Sequence, residues 1–333
     1  MLSPAVLQLD AEAEIARIVR TLRQQVLGSL RKRGAVVGLS GGVDSSVVAA
    51  LCARALGSDK VLGIFMPERD SSPDSLRLGR LVADTLGIEA VVEDVTAALE
   101  GFGCYRRQAE AVQSLVPEYG DGWKCKLSLP SPIHGERLNV SRLTVEDPAG
   151  ETRSVRLTAQ AYLKLVAATN FKQRVRKTIE YYHADRLNYA VTGTPNRLEF
   201  DQGFFVKQGD GAADVKPIAH LYKTQVYQLA RHLGVPEEIR ARAPTTDTFS
   251  MSQTQEEFYF ALPYAGMDLC LYAHNHGVEA AEVAAALSLE PEQVERVFRD
   301  IDSKRNATHG LHAAALLVEE IAEIDRAHLD PQR

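Results

Sequence analysis

The chain has 333 residues, 45% of them apolar and 25% charged, which excludes a disordered, collagen-like or fibrous protein. This length allows one large domain or two ordinary ones, folding without disulfides or structural metals. Lysine plus arginine number 38 against 44 acidic residues, a net charge of −6 that disfavours a dedicated nucleic-acid binder, and no apolar run approaches the ~20 residues of a membrane span.

In chain order, residues 6–31 predict one amphipathic helix packed on the core, because Ile15, Ile18, Val19, Leu22, Val26 and Leu30 recur at three- and four-residue steps. The chain then turns at Gly34 into a short strand, 35–39, followed by Ser40, Gly41 and Gly42. A helix over 43–56 closes at Gly57, a strand follows at 61–66, a helix at 75–86 closes at Gly87, and a third strand follows at 88–93. Strand and helix alternating over short connections predict an α/β fold, a doubly wound parallel sheet flanked by helices. Ligands in such sheets sit at the carboxyl ends of the strands, where residues 40–42 lie.

The alternation breaks at about 100–160. Residues 117–132, rich in Gly, Pro and Ser, read as loop, and 138–145 with 154–158 read as an inserted β-hairpin turning through Pro148, Ala149 and Gly150. A long helix over 159–184, a strand at 189–193, and a helix over 222–233 closed by Gly234 follow; from 254 onward the chain reads as mostly helical. The expected division is an N-terminal helix (1–33), a core (34–250) carrying the insertion at about 100–160, and a helical C-terminal region (251–333). Asp10, Glu12 and Glu14 argue against a signal or transit peptide. Cys52, Cys104, Cys125 and Cys270 show no CxxC spacing, so a zinc ribbon or thioredoxin-type site is unsupported and a reduced, cytoplasmic enzyme is expected.

A glycine turn between a strand and a helix suits phosphate, because glycine lets the backbone approach and the helix N-terminus offers free N–H groups. Neither GxxxxGK[ST] nor GxGxxG is present. What stands there is Ser40-Gly41-Gly42-Val43-Asp44-Ser45-Ser46, which resembles the SGGxDS pyrophosphate loop of the ATP pyrophosphatases, a fold of the adenine nucleotide α-hydrolase kind. The resemblance implies that Ser40, Gly41, Gly42, Val43, Ser45 and Ser46 line the ATP phosphates. Asp44 either caps the helix or holds Mg²⁺ against them.

Further motifs narrow this reading. Asn170, Lys172, Arg174 and Arg176 resemble the N-x-K-x-R-x-R helix of the NAD synthetase family. Gly193, Thr194 and Glu199, then Gly203, Phe204, Phe205, Lys207, Gly209, Asp210, Gly211 and Asp214, resemble its next signature. Pro217, Leu221, Lys223 and Gln225 match its following helix, and Pro244, Thr245, Thr246 and Asp247 resemble its PTAD turn. The likeness runs over about residues 34–97 and 166–250. It implies ATP-dependent amidation of nicotinic acid adenine dinucleotide (deamido-NAD) to NAD by ammonia. An acyl-adenylate is the intermediate, with AMP and pyrophosphate released. An adenylating, amide-forming synthetase for another carboxylate is the alternative. An RNA-modifying member of the same group would need paired cysteines or a basic appendage, which the charge and cysteine spacing do not supply.

By the resemblance, Asp44 and Glu199 bind Mg²⁺, while Thr194, Lys223 and Thr245 contact ATP, Lys223 stabilising phosphate charge. Asn170, Arg174, Tyr181, Lys207 and Asp214 bind the deamido-dinucleotide, and Asp210 sits near the reacting carboxyl group. Read without the resemblance, Lys172, Arg174, Arg176 and Lys177 are a solvated helix face or a nucleic-acid patch, and at least one of Phe204 and Phe205 is core. His183, His220 and His232 read as structural. The sequence departs from the family at Pro195, at Phe65, and at Ser303-Lys304-Arg305, where only Lys304 carries over as a substrate contact. About 33 residues precede the first strand, too few for the glutaminase domain of larger relatives, so free ammonia or a separate ammonia-supplying subunit is the expected donor. The resemblance also implies a homodimer built through the long helix and the N-terminal helix.

Overall fold

The computed structural model describes residues 2–128, 142–245, 248–251, 253–260, 262–319 and 321, with residues 256 and 257 described by backbone alone. A turn at Pro4–Leu7 leads into α1 (Ala11–Arg23), β1 (Ala35–Gly38), α2 (Val43–Leu56), β2 (Val61–Phe65), α3 (Pro73–Leu86) and β3 (Glu89–Val92). Next come α4 (Thr96–Gly101), α5 (Cys104–Gln113), β4 (Lys124–Ser128), β5 (Arg142–Glu146), β6 (Thr152–Arg156) and α6 (Ala159–Leu187). The chain continues through β7 (Ala190–Thr192), α7 (Arg197–Asp201), α8 (Lys223–His232), α9 (Glu237–Arg240) and α10 (Gln255–Phe258), and then α11 (Tyr264–Asn275), α12 (Ala280–Leu287) and α13 (Pro291–His312).

Among the described residues the main sheet is parallel, in the order β3-β2-β1-β7. The chain builds outward from β1 to β3 with α2 and α3 on one face, then returns over the other face through α6 to place β7 beside β1. Both faces are covered, so β1 and β2 are apolar runs without polar alternation, and β7 is buried throughout, with the Thr192 hydroxyl donating to Val36 O (2.9 Å). On the first face Ile15 and Leu22 of α1, Val47 and Leu51 of α2, Val82 of α3 and Leu229 of α8 share one core. α2 lies in its middle and is apolar nearly all round, as a helix enclosed by other elements must be. On the second face Val36, Leu62, Ile64 and Val191 meet Ala184 of α6. α11, α12 and α13 gather a further core around Met267, Leu271, Val283, Val294 and Ile301. The strand order reverses between β1 and β7, so a crevice opens at their carboxyl ends.

Several expectations need correction. The single helix over 6–31 is broken: Asp10 caps α1 by accepting from Ala13 N (3.0 Å), and after Arg23 the chain widens into a π-helical turn, Gln24–Ser29. The stretch at 100–160 is more than a hairpin. α5 packs along α6, and β4 pairs with β5 to make an antiparallel sheet in the order β4-β5-β6. β4 falls inside 117–132, which was expected to be loop; its alternation puts Cys125 and Leu127 inward beside Leu143 and Val145. Residues 138–141 of the expected hairpin, and the end of the chain past 321, lie outside the described residues. Helix continues only to His312, and 313–319 are not helical. Among the described residues no helix is long and apolar enough to cross a membrane.

Candidate active site at the carboxyl ends of β1 and β7

The turn after β1 is shaped by its glycines. Gly41 has φ +75°, and a Cβ there would come within 2.6 Å of the Ser75 carbonyl oxygen, so only glycine fits. Ser45 and Ser46 return their hydroxyls to Gly42 O at 3.0 and 2.8 Å, and Ser40 Oγ lies 3.2 Å from Ser45 Oγ. Ser46 is fully buried, so its hydroxyl braces the turn, whereas Ser40 is exposed. Val43 is buried at the head of α2.

Asp44 occupies the first turn of α2. It accepts a hydrogen bond from Asn196 Nδ2 (3.2 Å) and forms an ion pair with Lys223, the first residue of α8. Asn196 also makes a reciprocal cap on α7: Glu199 N donates to Asn196 Oδ1 (3.2 Å) and Asn196 N donates to Glu199 Oε2 (3.1 Å). One asparagine thereby aims two carboxylates at one place. Burial, reinforced by the charge of Asp44 and opposed by Lys223, holds the Glu199 carboxyl well above the usual range. Lys223 is fully buried, which alone would lower its pKa, but the carboxylates of Asp44 and Glu199 outweigh burial and raise it.

The other expected residues lie around this centre. Thr194 is half-buried in the turn after β7. Asp210 accepts from Val206 N (2.7 Å), and burial raises its pKa despite nearby Lys177. Tyr181 donates to Asp214 Oδ1 (3.3 Å), while Asp214 Oδ2 accepts from Val191 N (2.8 Å). Asn170 is half-buried on α6, one turn before the exposed Arg174, whose Nε donates to Lys207 O (3.3 Å). Lys207 directs its ammonium to Gly310 O and Ala313 O at the end of α13 (2.7 and 3.0 Å). Lys304 is held by Tyr259 O (2.6 Å) and Asp300 (2.7 Å), turned into the protein. Thr245 bridges Thr254 through the backbone, and Thr246 and Asp247 lie outside the described residues.

The solvated-face reading of α6 fails at Lys172 and Lys177, both of which are buried. Lys177 pairs with Glu180 (2.6 Å), whose carboxyl approaches Gly38 so closely that a Cβ there would lie 2.9 Å from Oε1. His183 pairs with Glu93 and His220 with Glu14, both at 2.7 Å. Phe204 packs on the C-terminal core beside Tyr259, while Phe205 stacks near Phe200. Sequence reasoning missed Asn196, although Asn-x-x-Glu before a buried residue is a capping-box signal. It also missed Glu68, Asp70 and Tyr105, which carry no local signature.

The sequence profile of the NAD synthase family matches residues 14–116 and 137–308. A protein of Mesorhizobium japonicum named NH(3)-dependent NAD(+) synthetase is 67% identical over 318 residues, covering 96% of this chain and 100% of that protein. One of the same name from Rhizobium meliloti is 59% identical over 323 residues, covering 97% and 96%. Among solved structures, an NMN synthetase from Francisella tularensis superposes with TM-score 0.65 at 22% identity, over 93% of this chain and 99% of that one. An NH3-dependent NAD synthetase from Campylobacter jejuni gives 0.61 at 20%, over 93% and 100%. At those identities the likeness is one of fold.

Proposed function

Because the chain belongs to the NAD synthase family, we infer that it is an ammonia-dependent carbon–nitrogen ligase of NAD biosynthesis, converting deamido-NAD to NAD with ATP as co-substrate. The observation that carries this is the Asp44–Lys223 ion pair beside Glu199 at the head of α2, in the crevice where the sheet reverses.

A carboxylate is a poor acyl donor and must be activated. The nicotinate carboxylate attacks the α-phosphorus of ATP, the bond to the bridging oxygen breaks, and pyrophosphate leaves. Ammonia then adds to the acyl carbon, a proton is lost, and AMP departs. The turn at 40–42 and the N-terminus of α2 cradle the leaving phosphates. Lys223, shut away from water, presents a fixed positive charge to them, which is worth more there than in solvent. The donor set at the centre is two carboxylates, Asp44 and Glu199, with no larger cluster of His, Cys, Asp and Glu among the described residues. That set fits Mg²⁺, which binds through one or two carboxylates and keeps substrate phosphates and water as its other ligands. When bound, the ion supplies charge neutralisation at the phosphates. Arg174, Tyr181, Asp214 and Asn170 line the dinucleotide, and Lys207 joins them by exchanging the α13 carbonyls for a substrate phosphate. Asp210 faces the reacting carboxyl.

We also assign a homodimer formed through α6. The apolar stripe of α1 (Ile15, Ile18, Leu22) is consumed inside the protomer, so of the two helices expected at the interface only α6 is kept in this reading. Cytoplasmic residence, with free ammonia or a separate ammonia-supplying subunit as the donor, is part of the same reading.

The test incubates the full chain with ATP, Mg²⁺, deamido-NAD and ammonium. NAD, AMP and pyrophosphate should appear in equal amounts, and glutamine should not replace ammonium. Product from nicotinic acid mononucleotide but none from deamido-NAD would overturn the reading in favour of another carboxylate.

A further inference from the structure

Lys172 of α6 is fully buried, and all three of its ammonium protons are used. Nζ donates to Glu68 Oε1 (2.9 Å), Asp70 Oδ2 (2.8 Å) and Thr248 O (3.0 Å). The first two partners belong to the loop that leaves β2, at the carboxyl edge of the sheet. The third belongs to the segment that follows Thr245. Two connections distant in sequence therefore meet on one charge.

The rest of the cluster fixes the first loop alone. Tyr105 of α5 donates to Glu68 Oε2 (2.8 Å), and Asp70 N donates to the same oxygen (3.2 Å). Arg69 lies over the Tyr105 ring at 3.7 Å and donates to Asp70 Oδ1 (3.1 Å). Arg176, one turn beyond Lys172, donates to Met66 O (3.1 Å) and to Ser71 Oγ (3.4 Å). On the other side, Ser250 Oγ accepts from Cys125 N (3.0 Å), so the second segment rests on β4. Of these contacts, those of Lys172 span both segments.

Burying one ammonium with two carboxylates is a poor way to gain stability, since apolar residues of similar volume often do as well. What such a triad does supply is a fixed geometry. Here it fixes the spacing between the loop beside α3, whose Ser75 carbonyl abuts Gly41, and the segment next to Thr245. The first lies at the carboxyl edge of the sheet against the turn at 40–42, and the second follows Thr245, the residue that the family resemblance makes an ATP contact.

We propose that Lys172 is a positioning residue for the nucleotide: its ammonium latches the post-β2 loop to the segment at 248–251 and so closes the ATP half of the site. It touches no reacting atom and acts through those two segments. The proposal rests on the assignment of ATP to the turn at 40–42, and wild-type NAD formation tests that assignment separately.

The experiment compares the wild-type chain with Lys172→Met and with Lys172→Met/Glu68→Gln/Asp70→Asn, which replaces the triad by uncharged side chains and so removes the latch without stranding buried carboxylates. Hydrogen exchange of 67–72 and 248–251 is measured with and without a non-hydrolysable ATP analogue, alongside KM for each substrate. The expected result for the triple variant is a folded protein with faster exchange in both segments. Its KM for ATP should rise by about tenfold or more while KM for deamido-NAD stays within about twofold, a tenfold change being about 1.4 kcal/mol. Unchanged exchange with an unchanged KM for ATP would overturn the proposal. So would an equal rise in both KM values with a lowered unfolding midpoint, which marks a merely structural role. If the wild-type chain makes no NAD, the assignment of ATP fails instead, and the exchange data still report on the latch.

Discussion

Asp44 and Lys223 join the first turns of α2 and α8 by an ion pair across 179 residues of sequence. Each of these helices packs its apolar face into the same core, so neither can shift without the other. The pair is held at the point where the parallel sheet reverses, and Glu199 enters as a third ionisable group through Asn196. Burial and the charge of Asp44 raise the Glu199 carboxyl, so Lys223 is matched by Asp44, and Glu199 ionises only when positive charge is added or Asp44 is neutralised.

That coupling orders the variants. Asp44→Asn should cut pyrophosphate release by about 100-fold or more, the scale of losing a preorganised charge contact. Its unfolding midpoint should fall only modestly, because Glu199 can then ionise beside Lys223. Lys223→Met should be worse for stability, by about 3–5 kcal/mol, since it leaves the Asp44 carboxylate without its cation beside Glu199. The double variant should lose less than the sum of the two. Millimolar Mg²⁺ should restore part of the Lys223→Met loss, because it returns a cation to the carboxylates. Urea unfolding at pH 8 with and without Mg²⁺ checks each step, and additive losses would show that the pair is not coupled.

Gly41→Ala should destabilise the chain by about 1–3 kcal/mol, because φ +75° is unfavourable for alanine and its Cβ would press on Ser75 O. Gly42→Ala is the contrast, since its nearest neighbour is the movable Ser40 Oγ at 3.3 Å. Urea midpoints and KM for ATP should both separate the two variants. Equal effects would mean that the turn is not set by the geometry at Gly41.

The parts of this site that sequence made visible are those with local signals. Strand, glycines and helix at 35–56 announce the turn, and the spacing from Gly193 to Asp214 announces the second loop. What stayed hidden depends on contacts between distant segments. The charge run from Lys172 to Lys177 has the pattern of a wet helix face. Within it Lys172 is buried because the post-β2 loop supplies Glu68 and Asp70 from 104 and 102 residues away, and Lys177 because Glu180 pairs with it, while Arg174 stays exposed. β4 was hidden because five residues, among glycines and prolines, become a strand only when β5 pairs with them. The roles of Lys207 and Lys304 were read from motif position, which says nothing of the α13 carbonyls or of Asp300.

The dimer reading predicts where charge is not tolerated. Phe102 is 57% exposed and stacks on Phe171 of α6 at 5.7 Å, and Tyr182, three turns along the same face, is 61% exposed. In a monomer, Phe102→Asp or Tyr182→Asp would change stability by no more than about 0.5 kcal/mol. In a dimer through this face, light scattering should give twice the chain mass for the wild type and a shift toward the single mass for either variant. A wild-type chain that stays monomeric at assay concentration would remove α6 as an interface.

Asp268 of α11 gives the chain a pH dependence away from the reacting centre. Its Oδ2 accepts from Thr224 N at 2.7 Å, capping α8 just behind Lys223. Burial pushes its carboxyl up to about 6, although the bond from Thr224 N works against that rise. A raised carboxyl means that the folded chain holds a proton the unfolded chain has already released. Between the ordinary aspartate value of about 3.9 and the folded value, stability therefore falls as pH rises, and it levels off above. Asp268→Asn keeps an acceptor for the cap but cannot ionise. The variant should lose this slope between about pH 4 and 6, and above pH 6 it should match or exceed the wild type by about 1–2 kcal/mol. Asp268→Ala cannot ionise either and also lacks the acceptor, so it too should lose the slope and should lie about 1 kcal/mol below the Asn variant at every pH. Urea unfolding across that range separates the cases. An Asn variant that keeps the wild-type slope would show that another group carries it.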